Sequence, residues 1–369
     1  MEYVQERITT LHDLGLVREP GGLDAPTDDT VVVVPMTERE YAGLAAERVL
    51  AELERVDPAR VVVPLRAPAE RAGPFRDWLA EFDLDLDVLW CDGPHVAALL
   101  ADHGLGGARG KGRDVWLALG HALAGDQRYV VCHDADTRSY RADYVPRLLF
   151  PLSRGHEFSK GYYARVENGR LYGRLFRLFY VPLVRALADA HHAPVVDYLD
   201  SFRYALAGEF AATADLAAEL RIERSWGLEV GTLADAFRVA GVEGSAQVDL
   251  GRYEHDHRAV GGPTGLSDMS EAVGEALLRT VEGAGVAPDY DTLGDRYLTT
   301  ARGLVDSYAA DAAFNALDYD RAGEREQVEQ YAEAISPPGE DTRLPAWTDA
   351  PFDAEAVVAA ATDDLAEVC

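Results

Sequence analysis

Four short runs of apolar, mostly β-branched residues constrain this chain most: "TVVVVP" (30–35), "ARVVVPL" (59–65), "LDVLWC" (86–91) and "RYVVCH" (128–133). They do not alternate with polar residues, so both faces of each strand must be covered. That is the signature of a parallel sheet packed between helices. Helical patterns lie between them: Glu38 to Arg55, "GPFRDWLAEF", "GPHVAALLADHG" and "GKGRDVWLALGHALAG" (110–125). Strand–helix alternation at about thirty residues per unit predicts β-α-β units with right-handed crossovers. Ligands in such sheets bind beyond the carboxyl ends of the strands. The loop "PGGLDAPTDD" closes an N-terminal arm, 1–29, and "VGGPTGLSD" (260–268) marks a second break. The sheet domain is therefore expected over 30–260. A helical C-terminal extension follows over 261–369, with 336–353 as an irregular tail.

Charge excludes two classes of partner. The formal net charge is 35 − 64 = −29, so nucleic acid and anionic membranes are not expected to bind. Only Lys111 and Lys160 are lysines; the other basic residues are arginine. Such a composition suits a protein whose surface carboxylates are solvated in concentrated salt, where repulsion is screened. Cys91, Cys132 and Cys369 show no metal or disulfide spacing, and the first two end apolar runs as small core residues. There is no apolar run of about 18 residues, and "MEYVQERITTLHDLG" does not read as a signal peptide. The expectation is a cytoplasmic protein, with a homodimer left open.

Three features carry chemistry. Asp134 and Asp136 follow the fourth apolar run. One residue apart, they could hold Mg²⁺ or Mn²⁺ through hard oxygens and leave open sites for phosphate oxygens. A plain turn is the competing reading, since Asp favours strand ends. Lys111 lies in "GARGKGRDVW", a glycine-rich loop entering a helix, where free N–H groups and an ammonium suit phosphate. The spacing is not a Walker A motif, and a solvated loop lysine is the alternative. Finally, Arg170, Arg174, Arg177 and Arg185 in "NGRLYGRLFRLFYVPLVRAL" fall at helical offsets on one face. That face is either an anion site or simply solvated.

Several stretches, in order, resemble the retaining glucosyl-3-phosphoglycerate synthase family. "GKG" (110–112) is similar to the family's lysine loop, "DAD" (134–136) to its "DSD", and "KGYY" (160–163) to "KSFY". "GRLFRLFYVPLV" (173–184) resembles "GRVTELVARPLL", and "LAGEFA" (206–211) resembles "LSGEYA". "WGLEVGTLADAF" (226–237) resembles "YGVEIGLLIDTF", and "AQVDLGRYEHDHR" (246–258) resembles "AQVNLGVRAHRNR". The resemblance covers roughly 105–260. It implies an α/β architecture: a Rossmann-like, A-type (GT-A) nucleotide-sugar transferase domain with a mostly parallel sheet, followed by the helical extension.

It also implies roles. Asp136 and His255 would bind the divalent cation, with Asp134 lining the site. Pro35, Met36, Thr37, Lys111, Asp134 and Asp136 would contact the nucleotide-sugar donor. Glu229 would sit by the reacting sugar; on its own it is an acid favoured by a helix N-terminus. Gly173 and Arg174 would hold a small anionic acceptor, with Gly208 and Glu209 bordering the sugar pocket and His257 replacing a family asparagine. His255 alone would read as an exposed loop histidine.

Two departures bear on substrate. "VVPLRAPAE" carries no acid where the family has an Asp–Ser–Gly turn on the nucleotide, and Phe176 replaces a threonine that donates to the acceptor's phosphate. Glucosyl transfer from a nucleoside-diphosphate sugar to an acceptor such as 3-phosphoglycerate is the expected activity. Mannosyl transfer from GDP-mannose, or nucleotide-sugar binding without transfer, are the alternatives. A sugar-1-phosphate nucleotidyltransferase would need a "GxGTRL"-like loop that "PMTEREYAG" lacks.

Overall fold

A computed structural model describes residues 6–13, 22–256 and 263–368. The strands are β1 (Thr9–Leu11), β2 (Thr30–Val33), β3 (Met36–Thr37), β4 (Arg60–Arg66), β5 (Leu86–Trp90), β6 (Tyr129–Cys132), β7 (Phe158–Ala164), β8 (Val166–Glu167), β9 (Arg170–Leu171), β10 (Phe210–Thr213) and β11 (Ser245–Arg252). Nine of them form one sheet in the order β1-β11-β7-β10-β6-β2-β4-β3, with β5 also on β4. Every pairing described in it is parallel except those of β10, which runs antiparallel between β6 and β7. Val31 to Val34 and Val61 to Val63 are completely buried, as unbroken apolar runs require. Within the N-terminal arm, β1 extends the sheet beside β11.

Helices α1 (Leu44–Val56), α2 (Ala69–Leu79), α3 (Pro94–Asp102) and α4 (Lys111–Leu123) connect the first strands, and α5 (Tyr144–Ser153) precedes β7. α6 (Val181–Ala188), α7 (Pro194–Ser201), α8 (Ala214–Ala218) and α9 (Leu228–Val239) lie between β9 and β11. α10 (Pro263–Gly283), α11 (Tyr290–Phe314) and α12 (Arg321–Ala332) form the helical part that follows. The break expected over 260–268 is shorter than its composition suggests, because Pro263 opens α10; residues 257–262 lie outside the described chain. Among the described residues, no helix is long and apolar enough to cross a membrane.

The irregular segment 336–353 is packed rather than loose. Trp347 stacks on Trp116 of α4, with ring centroids 4.3 Å apart, and the Trp116 indole donates to Pro345 O at 2.7 Å. α13 (Ala354–Val368) then packs on α2, α3, α4 and β5. Buried Asp364 accepts from the backbone N–H groups of His95 and Val96 at 2.7 and 3.0 Å, satisfying donors at the start of α3. The end of the chain is thus a strap over the first β-α-β units.

The arginine pattern changes in three dimensions. Arg170 lies in the β8–β9 hairpin, and the chain turns at Gly173 before a π-helical segment, Leu175–Tyr180. The four arginines therefore do not share one helical face. Arg177 is buried and forks onto Glu324 of α12 at 3.1 and 2.7 Å. Arg174 is 42% exposed and 3.7 Å from the same carboxylate, and Arg170 and Arg185 are more exposed still.

Candidate active site

The site forms where three strand ends and two helix starts meet. Asp134 and Asp136 follow β6, and His255 follows β11. Backbone bonds tie these two loops together: Asp256 N–H donates to Asp136 O and Arg138 N–H to Glu254 O, both at 2.8 Å. His255 Nε2 consequently lies 3.2 Å from Asp136 Oδ2, while its own N–H donates to Glu167 at 3.1 Å. The other Asp136 oxygen, Oδ1, is buried with no hydrogen-bond partner. Burial and the neighbouring Asp134 charge push the Asp136 carboxyl up to about 7. An orphaned carboxylate oxygen beside an imidazole nitrogen fits a divalent cation, whose charge would relieve that penalty. Among the described residues, no group of three or more acidic, histidine or cysteine side chains forms such a site, so the remaining ligands would have to come from substrate.

Lys111 opens α4 and reaches Asp134 Oδ1 at 2.5 Å and Glu229 Oε1, in the first turn of α9, at 3.4 Å. Burial alone would lower its pKa, but the two carboxylates raise it well above the usual lysine range. Asp134 is held below its ordinary value, because Lys111 outweighs its burial. The glycines beside Lys111 serve the packing of this corner. A Cβ on Gly112 would lie 1.7 Å from Glu223 O, and one on Gly110 would lie 2.7 Å from Arg224 O. Only bare backbone lets α4 start against the 223–225 segment that delivers Glu229.

Gly208 abuts the same cluster: a Cβ there would sit 2.4 Å from Asp134 Oδ2. Glu209 is buried with Oε2 unpartnered, and burial plus the Asp134 charge push its carboxyl up to about 8. Gly173 (φ +74°) and Arg174 lie further out. They are linked to His255 by adjacent rings, since Tyr204 meets Tyr163, Tyr163 stacks on Tyr253, and Tyr253 lies beside His255. Phe176 packs on Tyr204 with centroids 4.6 Å apart and offers no donor. His257 lies outside the described residues.

Pro35, Met36 and Thr37 lie at the carboxyl end of β2, where β3 pairs with Leu65 and Arg66. Thr37 lines a cleft of about 350 Å³ together with Arg39, Arg66 and Asp92. The sequence reading missed Asp92, which supplies an acid from the end of β5 to a corner where β4 has none. Its partners are Arg109 and Arg113, at 3.2 and 3.1 Å. The short "WCDGP" stretch ends an apolar run as "HDAD" does, and that was the available signal.

A largely parallel sheet with one reversed strand, carrying an Asp-x-Asp pair and a histidine at its strand ends and a lysine at an adjoining helix start, defines a metal-dependent nucleotide-sugar transferase of the A-type fold. No family model matches the chain. It is 33% identical to a glucosyl-3-phosphoglycerate synthase of Methanococcoides burtonii over 100% of this chain and 99% of that protein. It is 35% identical to the same-named protein of Persephonella marina, over 83% and 80%. The chain belongs to the glucosyl-3-phosphoglycerate synthase family. The fold is also that of the Mycobacterium tuberculosis synthase solved with Mn²⁺, UDP-glucose and phosphoglyceric acid (TM-score 0.57, 23% identity, 77% of this chain and 90% of that one). A mannosyl-3-phosphoglycerate synthase from Rubrobacter xylanophilus shares it too (TM-score 0.55, 24% identity, 74% and 83%).

Proposed function

We propose that this chain transfers glucose, with retention, from a nucleoside-diphosphate glucose to 3-phosphoglycerate. The observation that carries this reading is the convergence of Lys111, Asp134, Asp136, Glu229 and His255 in a chain similar along its whole length to named glucosyl-3-phosphoglycerate synthases. Asp136 and His255 would hold Mg²⁺ or Mn²⁺, which supplies positive charge to a departing diphosphate. Lys111 adds a fixed cation on the same side, oriented by Asp134 and Glu229. The cleft at Thr37, Arg39, Arg66 and Asp92 receives the nucleobase. Glu229 faces the sugar, Gly208 and Glu209 border its pocket, and Gly173 with Arg174 holds the acceptor's phosphate. The acceptor hydroxyl attacks the face the diphosphate leaves, and the leaving phosphate takes its proton. We place the enzyme in a salt-rich cytoplasm, where its product would feed a compatible solute.

The test is transfer to 3-phosphoglycerate from UDP-, GDP- and ADP-glucose and from GDP-mannose, with Mg²⁺ in concentrated salt, the anomer read by NMR. Asp136→Ala and His255→Ala should each abolish metal-dependent donor binding while the protein stays folded. Unchanged Mg²⁺ dependence in both variants overturns the metal assignment. A product only from GDP-mannose makes the chain a mannosyltransferase, and donor binding without any product makes it a binding protein.

A further inference from the structure

Arg165 follows β7 and is one basic side chain the foregoing account does not use. Its Nε is buried and has no hydrogen-bond partner. One terminal nitrogen makes a long 3.5 Å contact with the Tyr204 hydroxyl, and the guanidinium lies 5.8 Å from the centre of the Tyr253 ring. Among the described residues, no carboxylate comes within ion-pairing distance. Several other well-buried arginines are matched: Arg113 with Asp92 and Asp114, Arg177 with Glu324, Arg279 with Glu223 and Glu275, whereas buried Arg147 donates from Nε to a backbone carbonyl, Asp249 O. A largely desolvated guanidinium without a counter-charge is costly, so an anion from outside the chain is the natural partner.

The surroundings say which anion. The Tyr204 hydroxyl that meets Arg165 also lies against Gly173, 2.8 Å from where a Cβ would be. The Tyr253 ring beneath the guanidinium runs toward His255, with centroids 6.2 Å apart. Arg165 therefore stands between the Gly173–Arg174 corner and the His255 end of the site. In 3-phosphoglycerate the reacting hydroxyl lies between a phosphate and a carboxylate. With the phosphate at Arg174 and the hydroxyl turned to the sugar, the carboxylate falls beside Arg165.

We propose that Arg165 binds the acceptor's carboxylate and selects a phosphorylated hydroxy acid over a phosphorylated alcohol. This rests on the acceptor reading given above. A planar fork suits a carboxylate, and the loss of one partner of a charged hydrogen bond costs roughly ten- to a hundredfold in kcat/KM. The experiment compares 3-phosphoglycerate with glycerol 3-phosphate, which keeps the phosphate and lacks the carboxylate. In Arg165→Gln, kcat/KM for 3-phosphoglycerate should fall by that factor, mostly through KM. The value for glycerol 3-phosphate and the nucleotide-sugar dissociation constant should stay within about threefold. Arg165→Lys should restore part of the preference, and it carries the test alone if the glutamine variant does not fold, by a narrowed preference for the acid. Equal loss on both acceptors, or none on either, overturns the assignment. Failure of the wild type to use 3-phosphoglycerate instead sinks the acceptor reading, and this inference with it.

Discussion

Replacing Gly208 with alanine should disable the donor site through a single methyl group. The added Cβ would lie 2.4 Å from Asp134 Oδ2, 2.7 Å from Cγ and 2.8 Å from Oδ1. Comfortable contact begins near 3.5 Å, so the carboxylate must retreat by about 1 Å. Such a shift should loosen its hold on Lys111, now at 2.5 Å. Gly208 has no left-handed backbone angle, so the substitution brings the clash without backbone strain. A lost charged hydrogen bond is worth ~1.5–3 kcal/mol, or roughly ten- to a hundredfold in affinity. Calorimetric titration with nucleoside diphosphate and Mg²⁺ should show that loss, with the melting temperature lower by only a few degrees. Asp134→Ala removes the clashing group, so adding Gly208→Ala to it should cost little more; the pair is non-additive. Wild-type donor affinity in Gly208→Ala, or full additivity in the double variant, would refute the reasoning.

Glu324→Ala strands buried Arg177 and should cost ~3–5 kcal/mol in urea unfolding, while a double exchange of the pair for apolar residues recovers much of it; a cost below about 1 kcal/mol would mean the pair is solvated. Trp347→Ala removes the ring stacked on Trp116 and should destabilise by ~3–5 kcal/mol, with donor affinity at temperatures where the fold persists close to wild type; unchanged stability would show that the strap does not hold. Glu209 gives a pH test: burial, then the Asp134 charge, raise its carboxyl from 4.5 to about 8, so the native state holds an extra proton across that window. Its contribution is complete below the window and is lost as pH rises through it, so Glu209→Gln should gain stability relative to wild type with rising pH when no divalent cation is present. A melting difference that moves the other way refutes it.

Local pattern revealed the sheet and pointed to half of the candidate site for one reason. Strands buried on both faces, such as Val31–Val34, show unbroken apolar runs, and the polar residue that ends each run must lie at the ligand edge. Asp134 could be placed that way without knowing any contact. The strap could not, because Trp347 and Trp116 are 231 residues apart and neither flanking pattern names the other. Arg177 failed for a related reason. Helical offsets assume 3.6 residues per turn from a common start, whereas the chain enters through a hairpin, turns at Gly173 and winds as a π-helix. Its partner, Glu324, belongs to a helix that no motif connects to it.

The "GKG" loop shows how far a correct local inference can reach. Glycines there predict that something approaches the backbone closely, and phosphate was the expected visitor. The structure shows a close approach by other groups as well: the carbonyls of Glu223 and Arg224 lie so near Gly112 and Gly110 that no side chain fits. That contact is what delivers Glu229 to Lys111, 118 residues away in sequence. Glycine reports an absence of room and is silent about what fills it. The lysine is more informative because its charge demands a partner, and burial makes the demand strict. The same argument gives Arg165 its interest, since no carboxylate among the described residues answers its charge. Residue types that constrain only space locate a junction, whereas buried charges also state the chemistry that must complete it.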